Sequence, residues 1–354
     1  MTAEHHEAAA LQHNQAAALQ HNQAGKVTAT IYDIARLAGV NPSTVSRALN
    51  KPGRVSTRTR KLVEAAAVEL NYQVNPMARA LLTGRTGTLG LIVADITNPT
   101  FFNVIRGAES TTVSRHYTLI LAESSESAAT ELTAARRMMP TVDGLILASP
   151  RMGDEDIRTL AREKPVVVIN REVEGVSCVT PDVEKGISQA IRSLAANGHK
   201  NLAFIAGPPQ SWMSARRWEG VKAACEWSGI RSLCFESNEP TVEGGRLLAR
   251  DIRASGATAV MAYNDLLAIG LMQELQAAGV AVPDRLSVVG FDDIFGADFT
   301  TPPLTTIRSP LRECGALAAV RMLDLVNGVP EASGTLRAET ELILRGSSGR
   351  LLAG

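Results

Sequence analysis

The chain is poor in the features that staple, anchor or export a protein. Its 354 residues hold four cysteines, Cys178, Cys225, Cys234 and Cys314, scattered with no C-x-x-C and no histidine at metal-ligand spacing. That pattern argues against a disulfide scaffold or a metal centre, and the thiols are expected to be reduced, mostly buried small hydrophobes. No apolar run reaches the roughly eighteen residues of a membrane span. The opening Met-Thr-Ala-Glu-His-His lacks the basic-then-apolar order of a secretory signal, so a cytoplasmic location is expected. Enzyme signatures are missing too: no nucleophile elbow, no P-loop, no G-x-G-x-x-G after a strand, no histidine–carboxylate pair in sequence reach. No catalytic residue, metal or cofactor is expected.

Net charge is also absent, at zero overall, but the average hides a split. Residues 28–85 carry nine Lys/Arg against three Asp/Glu, a net of +6, whereas residues 86–354 carry 26 against 31, a net of −5. A small basic module on a mildly acidic body is the footprint of a polyanion binder confined to one end.

The basic module contains the stretch around which the chain is organised, Thr30 to Asn50. Thr30 stands three residues before Asp33, the spacing of a capping box. Ile31, Ile34, Ala35 and Ala38 keep the spacing of one apolar helix face. Gly39 can take the left-handed conformation that ends a helix. Asn41 can cap a second helix, with Pro42 at its first position, where no amide donor is needed. That helix turns Val45, Ala48 and Leu49 inward and Ser43, Thr44, Ser46 and Arg47 outward. Two short helices joined at a glycine fit a helix-turn-helix whose second helix lies in the DNA major groove; a helical hairpin in an ordinary core is the competing reading. Ser56 can cap a third helix from about Thr57 to Asn71.

On either side the character changes. Residues 1–27 contain Ala8–Gln15 (AAALQHNQ) repeated unaltered as Ala16–Gln23; two copies are too few for a solenoid, and the segment reads as a disordered low-complexity tail. From Thr86 onward, apolar runs such as Leu89-Gly-Leu-Ile-Val-Ala alternate with helical patterns, which implies an α/β architecture of doubly wound parallel sheets. The last part of this pattern predicts one helix from Val242 to Ser255 and a single closing strand at Glu341-Leu-Ile-Leu-Arg.

The run I-Y-D-I-A-x-x-A-G-V-x-x-x-T-V-S-R-A-L-N and the later A-R-A-L (residues 78–81) resemble the lactose/purine repressor family of bacterial transcription regulators. The resemblance spans about residues 28–347. It implies a helix-turn-helix domain at 28–73, a hinge at 74–86, and an effector-binding and dimerisation domain at 87–354 with two periplasmic-binding-protein-like subdomains. It implies a homodimer on a palindromic double-stranded operator, whose affinity a sugar, polyol or nucleoside controls. The resemblance places Pro42, Ser43 and Arg47 at base-reading positions and leaves Tyr32, Thr44, Ser46, Asn50 and Arg54 to phosphates. In the hinge, Leu81 would wedge between base steps beside the small Ala78. The family's usual hinge proline is displaced: Val74 holds its place and Pro76 follows two residues later.

For the effector, strand-end positions and the resemblance together single out Asp95, Asn98, Phe101, Asn170, Arg217, Asn264 and Asp292, a polar ring with a phenyl face suited to polyols. Pro240 stands where many relatives place a stacking aromatic, and Val183 rather than asparagine follows Asp182, so the pocket is expected to differ from those of well-known sugar repressors. Three other functions stay in view: a global carbon regulator with a protein co-regulator, a solute-binding protein on the same scaffold, and an enzyme. With no leucine-heptad tail after the last strand, a dimer is expected rather than a tetramer, working in the cytoplasm on the nucleoid.

Overall fold

The computed structural model describes residues 29–50, 52–72, 84–237, 239–329 and 335–351. The expected tail, and all of the hinge but its last three residues, 84–86, lie outside them. Contacts divide the chain into two compact units between Gly84 and Arg85.

Among the described residues the first unit has three helices, α1 (Ile31–Ala38), α2 (Pro42–Asn50) and α3 (Thr57–Glu69), with a 3-10 turn at Pro52–Arg54. Local chemistry sets each boundary. The Thr30 amide and hydroxyl both donate to Asp33 Oδ2, at 2.9 and 2.7 Å. These bonds from Thr30, with Arg36 adding a smaller attraction, hold the Asp33 carboxyl below its ordinary range. Gly39 adopts φ +64° and its amide returns to the Ala35 carbonyl, ending α1. Ser56 Oγ accepts from the Thr59 amide and opens α3. Ile34, Ala35, Val45, Ala48, Val63 and Ala66 form the shared core, and a core this small leaves the stability of the three helices dependent on their mutual packing.

The second unit has two lobes, each built on a six-stranded sheet. The first sheet has the order β11-β5-β4-β3-β1-β2, all parallel, from β1 (Thr88–Val93), β2 (Thr118–Glu123), β3 (Gly144–Ala148), β4 (Val166–Ile169), β5 (Ser177–Asp182) and β11 (Leu336–Glu339). The second has the order β12-β10-β9-β8-β6-β7, from β6 (Asn201–Ala206), β7 (Arg231–Glu236), β8 (Ala259–Ala262), β9 (Ser287–Asp292), β10 (Thr305–Arg308) and β12 (Glu341–Ile343), parallel except for β10 with β12. Helices cover both faces, so central strands such as β1, β3 and β4 are apolar on both sides. Full burial of each such Leu, Ile or Val is worth roughly 1.5–3 kcal/mol.

In the first lobe, α4 (Thr100–Ser114) and α12 (Leu311–Val326) pack on one face, with α5 (Ala128–Met138) and α6 (Asp154–Glu163) on the other. In the second, α7 (Val183–Ala196) and α8 (Trp212–Ser228) oppose α9 (Val242–Leu247), α10 (Ala249–Ala254) and α11 (Asp265–Ala277). The chain crosses between lobes three times, at Asp182, at Ser309–Pro310 and at Thr340. Thr340 Oγ1 ties the outer two together, donating to the Asp182 carbonyl at 2.6 Å while accepting from the Gly186 amide at 3.1 Å.

Three local expectations are corrected. The helix from Val242 breaks at Leu248 into α9 and α10. The closing strand is found as β12, but it is not single: an unexpected strand, β11, precedes it in the other sheet, across Thr340. Helix α6 joins β3 to β4 where no helix was expected; Ile157 and Leu160 anchor it, and three acids in its first turn suit the helix dipole. No helix among the described residues is long and apolar enough to cross a membrane, and among them no three His, Cys, Asp or Glu converge to hold a metal.

Candidate functional site

In the first unit the buried and exposed faces of α2 separate as the sequence directs. Val45 and Ala48 are buried, while Ser43 and Arg47 are exposed, and Pro42, Thr44 and Ser46 are half-buried. The Arg47 guanidinium lies back along the helix, with Nε donating to the Ser43 carbonyl at 3.1 Å and Nη2 to Ser43 Oγ at 3.3 Å. Tyr32 is 67% exposed on α1, and Arg54 is exposed in the 3-10 turn. The Asn50 side chain, Ala78 and Leu81 lie outside the described residues.

In the second unit a cleft lies where strand ends of both lobes face each other. Lobe one supplies Asn98, Thr100 and Phe101 after β1, Glu126 after β2, Ser149 and Arg151 after β3, and Asn170 after β4. Lobe two supplies Met213 and Arg217 from α8, Pro240 after β7, Tyr263 and Asn264 after β8, and Asp292 at the end of β9. Every one of these positions follows or ends a strand at its carboxyl edge or lies on a helix just beyond it, which is where open α/β sheets receive ligands. The free space among them is about 20 Å³, the scale of a single water.

Arg217 and Asp292 form the centre of the lobe-two wall. Arg217 Nη2 donates to Asp292 Oδ1 at 2.7 Å, with both side chains only 4% exposed. Its Nη1 donates to the Tyr263 carbonyl, and its Cζ sits 3.6 Å from the Phe291 ring centroid. Ser309 Oγ donates to the same Asp292 oxygen at 3.1 Å. Thr100 Oγ1 reaches across from the other lobe to Asp292 Oδ2 at 3.3 Å. Asp292 has φ +105°, a conformation a non-glycine residue adopts at a cost of about 1–3 kcal/mol. Among the described residues, two buried polar atoms here have no protein partner, Arg217 Nε, a donor, and Asn170 Oδ1, an acceptor. A ligand that both donates and accepts, as a hydroxyl does, matches that pair.

Six of the seven expected residues therefore line one cavity. Asp95 does not: its Oδ1 accepts from the Thr97 amide and hydroxyl, both at 2.7 Å, and shapes the turn after β1. Asn264 has a structural duty as well, since its Oδ1 caps α11 at the Leu267 amide and its Nδ2 donates to the Pro240 carbonyl. Just below the cavity, Asp265 is fully buried, accepting from Thr306 Oγ1 at 2.6 Å and from the Ile294 amide at 2.8 Å. Burial raises its carboxyl to about 8. The reading of the sequence passed over Thr100, Glu126, Ser149, Arg151, Met213 and Tyr263; the signal that could have found Ser149 and Arg151 is their place just after β3, equivalent to that of Asn170 after β4.

Known proteins match both units. Residues 30–75 match the model of bacterial regulatory proteins of the lacI family, and residues 191–348 match a periplasmic binding protein-like domain. The HTH-type transcriptional repressor CytR of Escherichia coli (strain K12) is 32% identical over 334 residues, covering 92% of this chain and 98% of that protein. The lac repressor dimer solved bound to operator and the anti-inducer ONPF superposes with a TM-score of 0.83 at 25% identity, over 91% of this chain and 99% of that one. The transcriptional regulator CelR in complex with cellobiose has a TM-score of 0.68 at 29% identity, over 90% and 99%.

Proposed function

Because the chain belongs to the lacI family of bacterial regulatory proteins, we infer that this DNA-binding repressor reads its operator through α2 and senses a hydroxylated small molecule in the cleft between the lobes. The observation that carries the second half is the convergence of Asn98, Asn170, Arg217, Asn264 and Asp292 from separate strand ends on one buried cavity with an unpartnered donor and an unpartnered acceptor. Sites for ligands of sugar or nucleoside size run to about 300–1,000 Å³, so the lobes part to admit one, and the cross-lobe Thr100–Asp292 bond opens with them.

On DNA, Arg47 leaves Ser43 and forks onto a guanine edge, Ser43 and Pro42 read neighbouring bases, and Tyr32, Thr44, Ser46, Asn50 and Arg54 hold phosphates. Ala78 and Leu81 supply a minor-groove wedge that kinks the site. The working form is a homodimer on a two-fold operator. The paired Phe295 and Phe299 rings, both largely exposed and 5.0 Å apart edge to face, are apolar surface of the kind a partner covers. A repressor that meets its operator acts in the cytoplasm, on the nucleoid.

The test begins with a thermal-shift screen of sugars, polyols and nucleosides, followed by titration of each hit against operator binding. A hit should change operator affinity of the wild type and leave that of Arg217→Ala unmoved. A variant that responds like wild type would remove Arg217 from the ligand site and the cleft with it.

A further inference from the structure

Resting on the cleft reading, we propose that Arg151 determines specificity for an acidic group, so that the effector is a polyhydroxylated carboxylic acid rather than a neutral sugar or polyol.

The argument starts from how Arg151 is held. It follows β3 in the turn Ser149-Pro-Arg-Met, whose first residue has φ +59°. The backbone amides of Arg151 and Met152 both donate to Glu131 Oε2, at 2.7 and 2.9 Å. Glu131 is buried on α5, and burial pushes its carboxyl above the usual range. A carboxylate withdrawn from water to accept two amides fixes a loop at considerable cost. What that loop carries into the cleft is a single guanidinium, 4% exposed.

The cleft thus contains two buried arginines, one per lobe, and their partners are unlike. Arg217 faces Asp292, itself buried and given two further hydroxyl donors by Ser309 and Thr100. That pair is balanced in charge and held on both sides. Arg151 faces Glu126, which meets it through one oxygen on Nε at 2.6 Å and whose side chain stays 26% exposed. Glu126 follows Ser125, and both are left-handed, at φ +50° and +59°. It is a carboxylate held at the rim by one charged bond, with water beside it.

Charge decides what can replace it. With Glu126 and Asp292 in place the cleft is balanced, and a neutral ligand has no reason to disturb the rim. If Glu126 swings into water, the cleft holds one uncompensated buried guanidinium, and a ligand carboxylate restores the balance in the fork geometry that arginine favours. The hydroxylated body of the same ligand then reaches Asn170 Oδ1 and Arg217 Nε, the unpartnered acceptor and donor. The exchange is carboxylate for carboxylate, which makes Glu126 a competitor of the effector.

The experiment measures binding of matched pairs to the full-length protein by thermal shift and calorimetry: D-gluconate against D-glucitol, D-glucuronate against D-glucose, ribose 5-phosphate against ribose. In the wild type the carboxylic acids should bind about tenfold or more tightly than their neutral parents. Arg151→Gln should cut that preference to under about threefold, and Arg151→Lys, which keeps the charge and loses the fork, should fall between. Glu126→Gln should tighten acid binding severalfold and so widen the ratio of acid to neutral affinity. Preference for the sugar phosphate alone would reassign the group that Arg151 receives and overturn the carboxylate. Equal or better binding of neutral members, no binding of any acid, or a preference that survives in Arg151→Gln would also overturn it. Equal binding of acids and neutral parents in the wild type, lost in Arg217→Met but kept in Arg151→Gln, would leave the cleft standing and sink only this inference. Binding indifferent to both arginines would sink the cleft as well.

Discussion

Gly107 and Gly315 meet where α4 crosses α12, each helix using its glycine to bring the other's backbone within reach. A β-carbon added at Gly107 would run into the Arg312 carbonyl oxygen, and one added at Gly315 into the Val104 carbonyl oxygen. Alanine is ordinarily better than glycine in a helix by about 1 kcal/mol, but a clash with backbone that cannot rotate away outweighs it. Gly315→Ala is therefore expected to destabilise the second unit by roughly 1–3 kcal/mol in thermal or denaturant unfolding. A raised melting temperature would mean that the two helices slide freely.

The same two helices bear on the coupling of ligand to DNA. Thr100 in the first turn of α4, and Ser309 just before α12, both bond to Asp292. At the other end of α12, Arg85 donates to Asn327 Oδ1 at 2.7 Å and to the Val326 carbonyl at 2.8 Å. Sixteen residues of α12, about 24 Å of helix, separate these ends. Arg85→Ala is expected to bind ligand within about threefold of wild type yet lose most of the ligand-induced change in operator affinity, a coupling of typically 1–3 kcal/mol. Undiminished coupling in an operator titration would exclude this route.

For the nucleic-acid face, Arg47→Ala should cost roughly 1–3 kcal/mol per half-site and relax preference at one symmetric base pair. Arg54→Ala, as a phosphate contact, should weaken all sequences alike. A binding-array comparison decides: equal loss on operator and random DNA for Arg47→Ala would end its assignment as a base reader.

Asp265 predicts a pH dependence. Its carboxyl titrates at about 8 in the fold against 3.8 in its ordinary state, because burial penalises the anion. A raised carboxyl favours the folded state while it is protonated. Its contribution is complete below about pH 4 and is lost progressively as pH rises towards 8. Asp265→Asn keeps a neutral side chain of the same shape, so its stability relative to wild type should improve steadily from pH 5 to about pH 8 and level off above it. A wild-type-minus-variant difference that is flat with pH would show that Asp265 is ionised in the fold.

Much of this was legible in the residues. Strands buried on both faces must be apolar runs, and Leu89–Val93, Gly144–Ala148 and Val166–Ile169 announce themselves that way. The caps at Thr30 and Ser56 are chemical, so sequence shows them. What stayed hidden depends on partners distant in the chain. Strand β11, Leu-Arg-Ala-Glu, buries only Ala338, so its pattern reads as loop until β5 pairs with it. Glu131 sits among ordinary helix formers and looks solvated until its carboxylate is seen under the β3 turn. Arg151 reads as one more loop arginine for the same reason. Asp95, conversely, has a strand-end address but spends its carboxylate on Thr97.

The three crossings between the lobes have a consequence for synthesis. Neither lobe is a continuous piece of chain. The first sheet waits for β11 and for α12, the second for β10 and β12, and the joint at Asp182 waits for Thr340. On a ribosome emitting this sequence from its amino end, the helical first unit can finish early. Both sheets lack their last strand until residues 336–343 emerge, and then gain it within eight residues of each other. A nascent chain stalled before that point exposes two unfinished sheet edges at once, the form most prone to pair with a neighbour.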